Sequence, residues 1–157
     1  MTGFASGMRS SLTDQWDTPQ YVFDALDSEF HFTLDVCADE SNHMCARYFT
    51  KEQDGLSQNW EGVCWMNPPH GGEIGKWTRK ARESAKAGTI VVCLLPVRMD
   101  TQWWAEDVLK ATELRIIRGH LKFRGSDSGA PFQSVIAVFG TPKIPKVTHV
   151  DFWEAVE

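Results

Sequence analysis

An asparagine, two prolines and a histidine stand together in this chain in a pattern that suits the chemistry of an amine. Asn67, Pro68, Pro69 and His70 directly follow the apolar, strand-like run 62–66. Each proline fixes its own φ and has no N–H, and the proline after Asn67 pushes that residue out of the helical region. The carbonyls of this stiff turn have few donors nearby, and the Asn67 amide oxygen adds another acceptor. Two acceptors that converge on one NH2 group could hold an exocyclic amine while it reacts, although such a cluster could also do no more than end a strand.

Helical and strand-like patterns alternate along the chain and indicate what positions this turn. Apolar residues at helical spacing predict a helix over 19–29, with Thr18 as its N-cap and Pro19 at its first position. A second helical pattern covers 73–87. Short apolar runs predict strands at 32–38, 62–66, 89–96, 114–117 and 134–139. This alternation predicts an α/β domain with a mostly parallel sheet covered on both faces, and the last two strands, joined without a helix, should be antiparallel.

One edge of this sheet is the expected place for a ligand. Ligands of such sheets bind beyond the carboxyl ends of the strands. The polar segments 35–39, 67–70 and 96–100 all follow strand ends, so we expect them to converge. Asp35 could instead be a plain strand-end cap, and Asp54, which precedes Gly55, could be an ordinary turn residue.

Composition bounds the class of protein. The 157 residues suit one domain, and the shares of 42% apolar and 24% charged residues are ordinary for a globular protein. No apolar run approaches the ~20 residues of a membrane span, and the first residues lack the apolar segment of a signal peptide, so we expect a cytoplasmic protein. The four cysteines form no CxxC pair. The spacing of four candidate zinc ligands matches no usual zinc site, so we expect no metal. These candidates are His31, Cys37, His43 and Cys45.

A cluster of basic residues stands out against the net charge of −5. It consists of Arg115, Arg118, His120, Lys122 and Arg124. The cluster flanks a Gly/Ser-rich segment over 121–132, which we call the excursion. Such a concentration of positive charge favours contacts to phosphate groups, with an ordinary solvated surface as the alternative.

The chain divides by composition into three parts. Residues 1–15 are predicted to form a flexible arm, 16–140 the main domain, and 141–157 a proline-linked tail that could carry a short helix over 150–156. The small size and the tail are compatible with a homodimer.

The order of several short motifs resembles the phage-type DNA adenine-N6 methyltransferases. These motifs are Trp-x-Thr-Pro at 16–19, Leu-Asp-Val-Cys-Ala at 34–38, Asp-Gly-Leu at 54–56, Asn-Pro-Pro and a ring at 67–70, and Gly-x-Leu-x-Phe at 119–123. The resemblance covers about residues 14–140. It implies a Rossmann-like fold with a terminal antiparallel strand, S-adenosylmethionine as cofactor, and double-stranded DNA whose target adenine is flipped into the site. It also implies a phage or prophage gene expressed in a bacterial cell.

The resemblance assigns roles in binding the target base. Asn67 and the Pro68 carbonyl would accept hydrogen bonds from the adenine N6, Pro69 would stiffen the turn, and the His70 ring would stack on the base. A carbocyclic ring is usual at the last position. A protonated His70 would repel the sulfonium, so activity should fall at acid pH, near the ordinary histidine pKa of ~6.5.

The resemblance also assigns roles in binding the cofactor. Asp35 would bind the methionine part, Thr18 and Pro19 would close over the same end, and Asp54 would accept from the cofactor's adenine amine. The Gly-x-Gly loop that many methyltransferases carry after this strand is missing. Two other functions remain open: the same chemistry on a different amine (cytosine N4, RNA adenine or a protein glutamine), and a DNA-binding regulatory protein that has lost catalysis.

Overall fold

The fold is known from a computed structural model, which describes residues 15–142 and 144–153. The helices are α1 (Gln20–Phe30), α2 (Ile74–Lys86) and α3 (Gln102–Glu106), with 3-10 turns at Gly55–Ser57 and Val108–Lys110. The strands are β1 (Leu34–Asp35), β2 (Val63–Met66), β3 (Ile90–Pro96), β4 (Glu113–Ile117), β5 (Ser134–Phe139) and β6 (Lys146–Val150).

These strands form one mixed sheet in the order β1-β2-β3-β5-β4-β6. Strands β1, β2 and β3 run parallel to one another. Strand β5 is antiparallel to β4, as predicted for strands joined without a helix, and it is also antiparallel to β3, which was not predicted. Because the three parallel strands end side by side, their carboxyl-terminal loops lie at one edge of the sheet.

Helices cover both faces of the sheet, which confirms the predicted α/β class. Along β3, Val91, Cys93 and Leu95 belong to the core cluster that includes α2 and α3. Val92 and Leu94 point the other way and belong to the cluster that includes α1. This alternation follows from the two-residue period of a strand and explains why the whole run is apolar.

Helix α1 begins one residue later than predicted. Pro19, not Thr18, is its N-cap, and no side chain of the described residues caps the helix. The Pro19 carbonyl accepts from the N–H groups of Val22 and Phe23 and so starts the helix. The Thr18 hydroxyl is used elsewhere, because it accepts a hydrogen bond from Asn67.

Part of the predicted tail belongs to the sheet. Strand β6 pairs in parallel with β4. The prediction for this tail was a short helix at most, and no strand. That helix, over 150–156, would begin at Val150, which is in β6, and would extend beyond the described residues. The predicted arm lies outside them except for Gln15. No helix in the described ranges is long and apolar enough to cross a membrane.

Candidate active site

The Asn67 side chain is held in one orientation at the end of β2. Its amide nitrogen donates to the Trp16 carbonyl and to the Thr18 hydroxyl, the latter at 3.0 Å. Its amide oxygen is buried and has no hydrogen-bond partner among the described residues. A buried acceptor without a donor costs about 1–3 kcal/mol, so such groups in a folded protein call for an explanation. The two fixed N–H groups leave the oxygen as the part of the amide that can receive a ligand.

A cavity of about 720 Å³ lies beside this turn. Loops at the ends of β1 and β2 and the 15–18 segment contribute to its wall, together with Gly71 and Gly72. Its acidic lining residues are Asp17, Asp35, Asp39, Glu52, Asp54 and Glu73, whereas Lys51 is the single lysine or arginine in the described lining. Such a site attracts a cationic ligand and disfavours a phosphate.

Asp35 ends β1 and is almost fully buried, with 2% of its surface exposed. One carboxylate oxygen accepts from the Cys37 N–H at 3.2 Å and the other from the Met44 N–H at 3.0 Å. Burial raises the pKa of Asp35 to about 6 despite these two hydrogen bonds, which favour the ionised form. The carboxylate therefore fixes the loop between Cys37 and Met44 and also lines the cavity.

Two further carboxylates on the cavity wall, Asp17 and Asp39, were given no role from the sequence. The Asp39 carboxylate accepts from the Ser41 hydroxyl and N–H, both at 2.7 Å, and from the Asn42 N–H. These bonds, the one from the Ser41 hydroxyl above all, lower the pKa of Asp39. The Asn42 amide also donates to Asp17 at 3.0 Å. Asn42 thereby joins Asp17 to Asp39 across the cavity rim. The positions of these two carboxylates, shortly after β1 and directly before Thr18, could have pointed to them in the sequence.

The other predicted cofactor residues differ in their placement. Asp54 is exposed, lines the cavity and adopts a left-handed conformation with φ of 53°. The following Gly55 packs so closely on the Val36 carbonyl that any side chain there would collide with it. Thr18 is buried and lines the cavity, whereas Pro19 is buried and is not among the lining residues.

His70 lies outside the cavity lining. Its side chain is 3% exposed and packs edge-on against Phe132 and Phe123, with ring centroids 5.4 and 6.0 Å away. Arg98 donates to the His70 carbonyl at 3.1 Å. Burial first, and then the Arg98 charge, lower the pKa of His70 to about 4, although the Leu94 backbone counteracts this.

In this structure the His70 ring faces the two phenylalanines and is not among the residues that line the cavity, so its stacking on the target base stays a prediction. The Leu94 backbone lies near the ring, but neither ring nitrogen makes a hydrogen bond of ordinary distance and angle with the described part of the chain. The ring is a neutral packing group at ordinary pH, and the protonation expected near pH ~6.5 is moved to about 4.

Arg115 belongs to an ion-pair network and not to a free basic surface. Its guanidinium contacts both carboxylate oxygens of Glu29, at 3.1 and 2.6 Å, and its Nε contacts Glu113 at 2.8 Å. It also lies over the Phe30 ring, 5.4 Å from the centroid. Only 13% of its side chain is exposed, so Arg115 ties α1 to β4 and is less accessible to a phosphate than the other members of the cluster; its phosphate contact stays a prediction.

The remaining members of the basic cluster lie at or near the excursion. Arg118, Lys122 and Arg124 are exposed, although Arg118 lies 3.5 Å from Asp151 and Arg124 lies 4.0 Å from Asp17. The His120 ring contacts the Ala130 carbonyl at 2.6 Å and so closes the base of the excursion. Three exposed cations on one segment keep the phosphate-contact hypothesis open for this region.

Comparisons with known proteins agree on a family. Residues 5–141 match the family model described as DNA N-6-adenine-methyltransferase (Dam). The DNA N-6-adenine-methyltransferase of Haemophilus phage HP1 (strain HP1c1) is 34% identical over 128 residues, which cover 79% of this chain and 74% of that protein. The protein of the same description from Escherichia phage T1 is 28% identical over 114 residues, 71% of this chain and 48% of that one.

A similarity to a solved structure is much looser. A predicted O-methyltransferase from Agrobacterium tumefaciens superposes with a TM-score of 0.37 at 19% identity, covering 68% of this chain and 53% of that one. At that score the similarity supports no conclusion about this chain.

Proposed function

This chain belongs to the DNA N-6-adenine-methyltransferase family, and we propose that it transfers a methyl group from S-adenosylmethionine to the N6 amine of an adenine flipped out of double-stranded DNA. The observation that carries the proposal is the Asn67 amide oxygen, which is buried, has no donor among the described residues and lies on the wall of an acidic cavity. That oxygen needs a donor, and an exocyclic amine supplies one.

Two acceptors of the turn would hold the amine. The Asn67 oxygen and the Pro68 carbonyl each accept one N6 hydrogen, because neither proline offers a competing N–H. These two hydrogen bonds would orient the nitrogen lone pair toward the methyl group and raise the electron density on the nitrogen. The methyl group would pass to the N6 nitrogen as its bond to sulfur breaks, the bonding pair would stay on sulfur, and the amine would release one proton to water. Alignment and exclusion of water are the protein's main contribution.

The cavity suits the charge and the size of the proposed donor. S-adenosylmethionine supplies an activated methyl group on a sulfonium, and it carries an ammonium as well. Opposite charges about 4 Å apart attract by roughly 1–4 kcal/mol at the dielectric constants of water and of a protein surface. Transfer removes the sulfonium charge, so an acidic wall favours the donor over the spent product. A volume of about 720 Å³ is ordinary for a pocket that binds a cofactor.

Four residues keep the cofactor roles that the resemblance implies, as proposals. Asp35 would contact the methionine part directly or through the loop it fixes, Thr18 and Pro19 would close that end, and Asp54 would accept from the cofactor's adenine amine. Asp17 and Asp39 join them because they line the same cavity.

The His70 position also supports a second candidate function. Its ring is buried and is not among the cavity-lining residues, so on this candidate function the stacking surface expected for the base would be absent. A protein that binds DNA and the cofactor without transferring a methyl group would tolerate that loss. On the first proposal, His70 instead supports the turn through packing and Asn67 does the chemistry.

A transfer assay separates these functions. The protein is incubated with tritiated S-adenosylmethionine and unmethylated duplex DNA, and the DNA is digested to nucleosides. We expect label in N6-methyladenine, and a loss of about 100-fold or more for Asn67→Ala, typical of removing one oriented group that stabilises the transition state. Asn59→Ala is the matched control, because Asn59 is an exposed loop residue bonded to Glu61.

Each other outcome identifies an alternative. Label in another nucleoside would show that the protein methylates the amine of that nucleoside. Calorimetric binding of the cofactor and of DNA without transfer supports the regulatory function. Normal turnover of Asn67→Ala contradicts the proposed role of the turn. The phosphate contacts of Arg118, Lys122 and Arg124 and the homodimer remain predictions.

A further inference from the structure

A rigid turn between β3 and α3 presents an exposed methionine. The Arg98 carbonyl accepts from the N–H of Thr101 at 3.3 Å and from its hydroxyl at 2.7 Å. These bonds close a four-residue turn with Met99 and Asp100 at its two central positions. Met99 is 71% exposed, so packing against the rest of the protein does not explain a large apolar side chain at this position.

The turn is hydrogen-bonded on both sides to segments that are proposed to contact the DNA. The Arg98 guanidinium donates to the His70 carbonyl at 3.1 Å, which ties the turn to the Asn-Pro-Pro segment. The Val97 N–H donates to the Gln133 carbonyl at 2.8 Å, directly after the excursion. Thr101 accepts from the Trp104 N–H and so also caps α3. The Asn-Pro-Pro segment and the excursion also touch each other, because the His70 ring packs on Phe123 and Phe132, and the Met99 turn is bonded to both segments. DNA that reaches the Asn67 turn and the excursion would therefore come close to Met99.

We propose that Met99 is a wedge that enters the base stack when the target adenine leaves it, an inference that rests on the proposed function. A base in a duplex must be extruded before its amine can react, and extrusion costs unstacking energy. Apolar side chains inserted between base steps, methionine among them, are a known way for proteins to occupy such a gap. The flexible, polarisable methionine side chain adapts to an irregular opening, while the fixed turn determines where it enters.

The neighbouring charge favours insertion over a contact with the DNA backbone. Asp100 is exposed beside Met99 at the tip of the turn. A carboxylate is repelled by phosphates, so a tip that lay along the backbone would be unfavourable. A tip that points into the groove brings the carboxylate near base edges, where amino groups can donate to it.

The test compares a paired target with a target that is already unpaired. Sequencing of plasmid DNA treated with the wild-type protein first locates a methylated adenine. Two duplexes are then made on that sequence, one fully paired and one with an abasic site opposite the adenine. We expect Met99→Ala to slow methylation of the paired duplex about tenfold or more and to come within about threefold of wild type on the abasic duplex, because the unpairing cost is already met.

Two variants complete the experiment. Leu109→Ala is the matched control, because Leu109 is 60% exposed in the 3-10 turn at Val108–Lys110, and it should behave as wild type on both duplexes. Met99→Leu keeps an apolar wedge and should retain most of the rate. Equal slowing of Met99→Ala on both duplexes, or no slowing on either, would overturn the proposal. Absence of methylation by the wild-type protein would instead overturn the proposed function, and the wedge with it.

Discussion

Replacing Thr18 by valine tests whether the orientation of the Asn67 amide governs the rate. The change keeps the shape of a buried side chain and removes one acceptor, 3.0 Å from the Asn67 amide nitrogen. The Trp16 carbonyl remains as the second acceptor, so the amide keeps one of its two bonds. A hydrogen bond is worth about 0.5–1.5 kcal/mol net, and a buried donor left unpaired costs about 1–3 kcal/mol. We therefore expect about 1–2 kcal/mol less stabilisation of the transition state, which is about 5–30-fold in rate.

The assay must separate orientation of Asn67 from contact with the cofactor. Single-turnover methyl transfer measures the rate of the chemical step, and calorimetry measures the Kd of S-adenosylmethionine. We expect Thr18→Val to lower the rate with nearly unchanged Kd, and Thr18→Ser, which keeps the hydroxyl, to recover most of the rate. Valine keeps the shape with which Thr18 is proposed to close over the cofactor, so a weaker Kd with an unchanged rate would refute this reasoning and leave Thr18 with the cofactor-closing role alone.

Two further predictions concern ionised groups. Because burial raises the pKa of Asp35 to about 6, its negative charge is lost as the pH falls through that value, and binding of the cationic cofactor should weaken between pH 7 and 5. Calorimetry across this range should show a flatter profile for Asp35→Asn, and an equally steep one would assign the dependence to another group. Arg115→Ala should destabilise the fold by about 3 kcal/mol, since it removes the bidentate partner of Glu29 and a partner of the buried Glu113. Thermal unfolding measures that loss, while the salt dependence of DNA binding should stay unchanged; a reduced salt slope with an unchanged Tm would make Arg115 a phosphate contact.

The sequence predicted the centre of the fold better than its edges. Strands β3 and β5 are buried on both faces, so their apolar runs were unambiguous. Strand β6 is partly exposed at the edge of the sheet. Its partner strand β4 lies more than thirty residues earlier in the chain. No local pattern carries that information. The family and the α/β class are confirmed, because both depend on motif order and on core strands.

Within the candidate site, the sequence predicted which segments would meet but not which way each side chain would point. Asp35, Asn67 and Asp54 do line one cavity, since strand order alone brings their loops together. The partners of the Asn67 nitrogen lie 49 and 51 positions away, and the partner Glu29 of Arg115 lies 86 positions away. A charge or an amide is visible in a sequence, whereas its partner is decided by packing between distant elements.

Trp16 has two attachments that limit how this protein could be re-engineered. Its carbonyl holds the Asn67 amide, and its ring packs edge-on against Phe123 and Phe132 at the two ends of the excursion. The Arg124 N–H bonded to the Asp17 carbonyl adds a backbone link between the same two segments. An excursion exchanged for another, to change the DNA sequence that is recognised, would have to keep both phenylalanines and that link. Without them, the graft would alter turnover along with specificity.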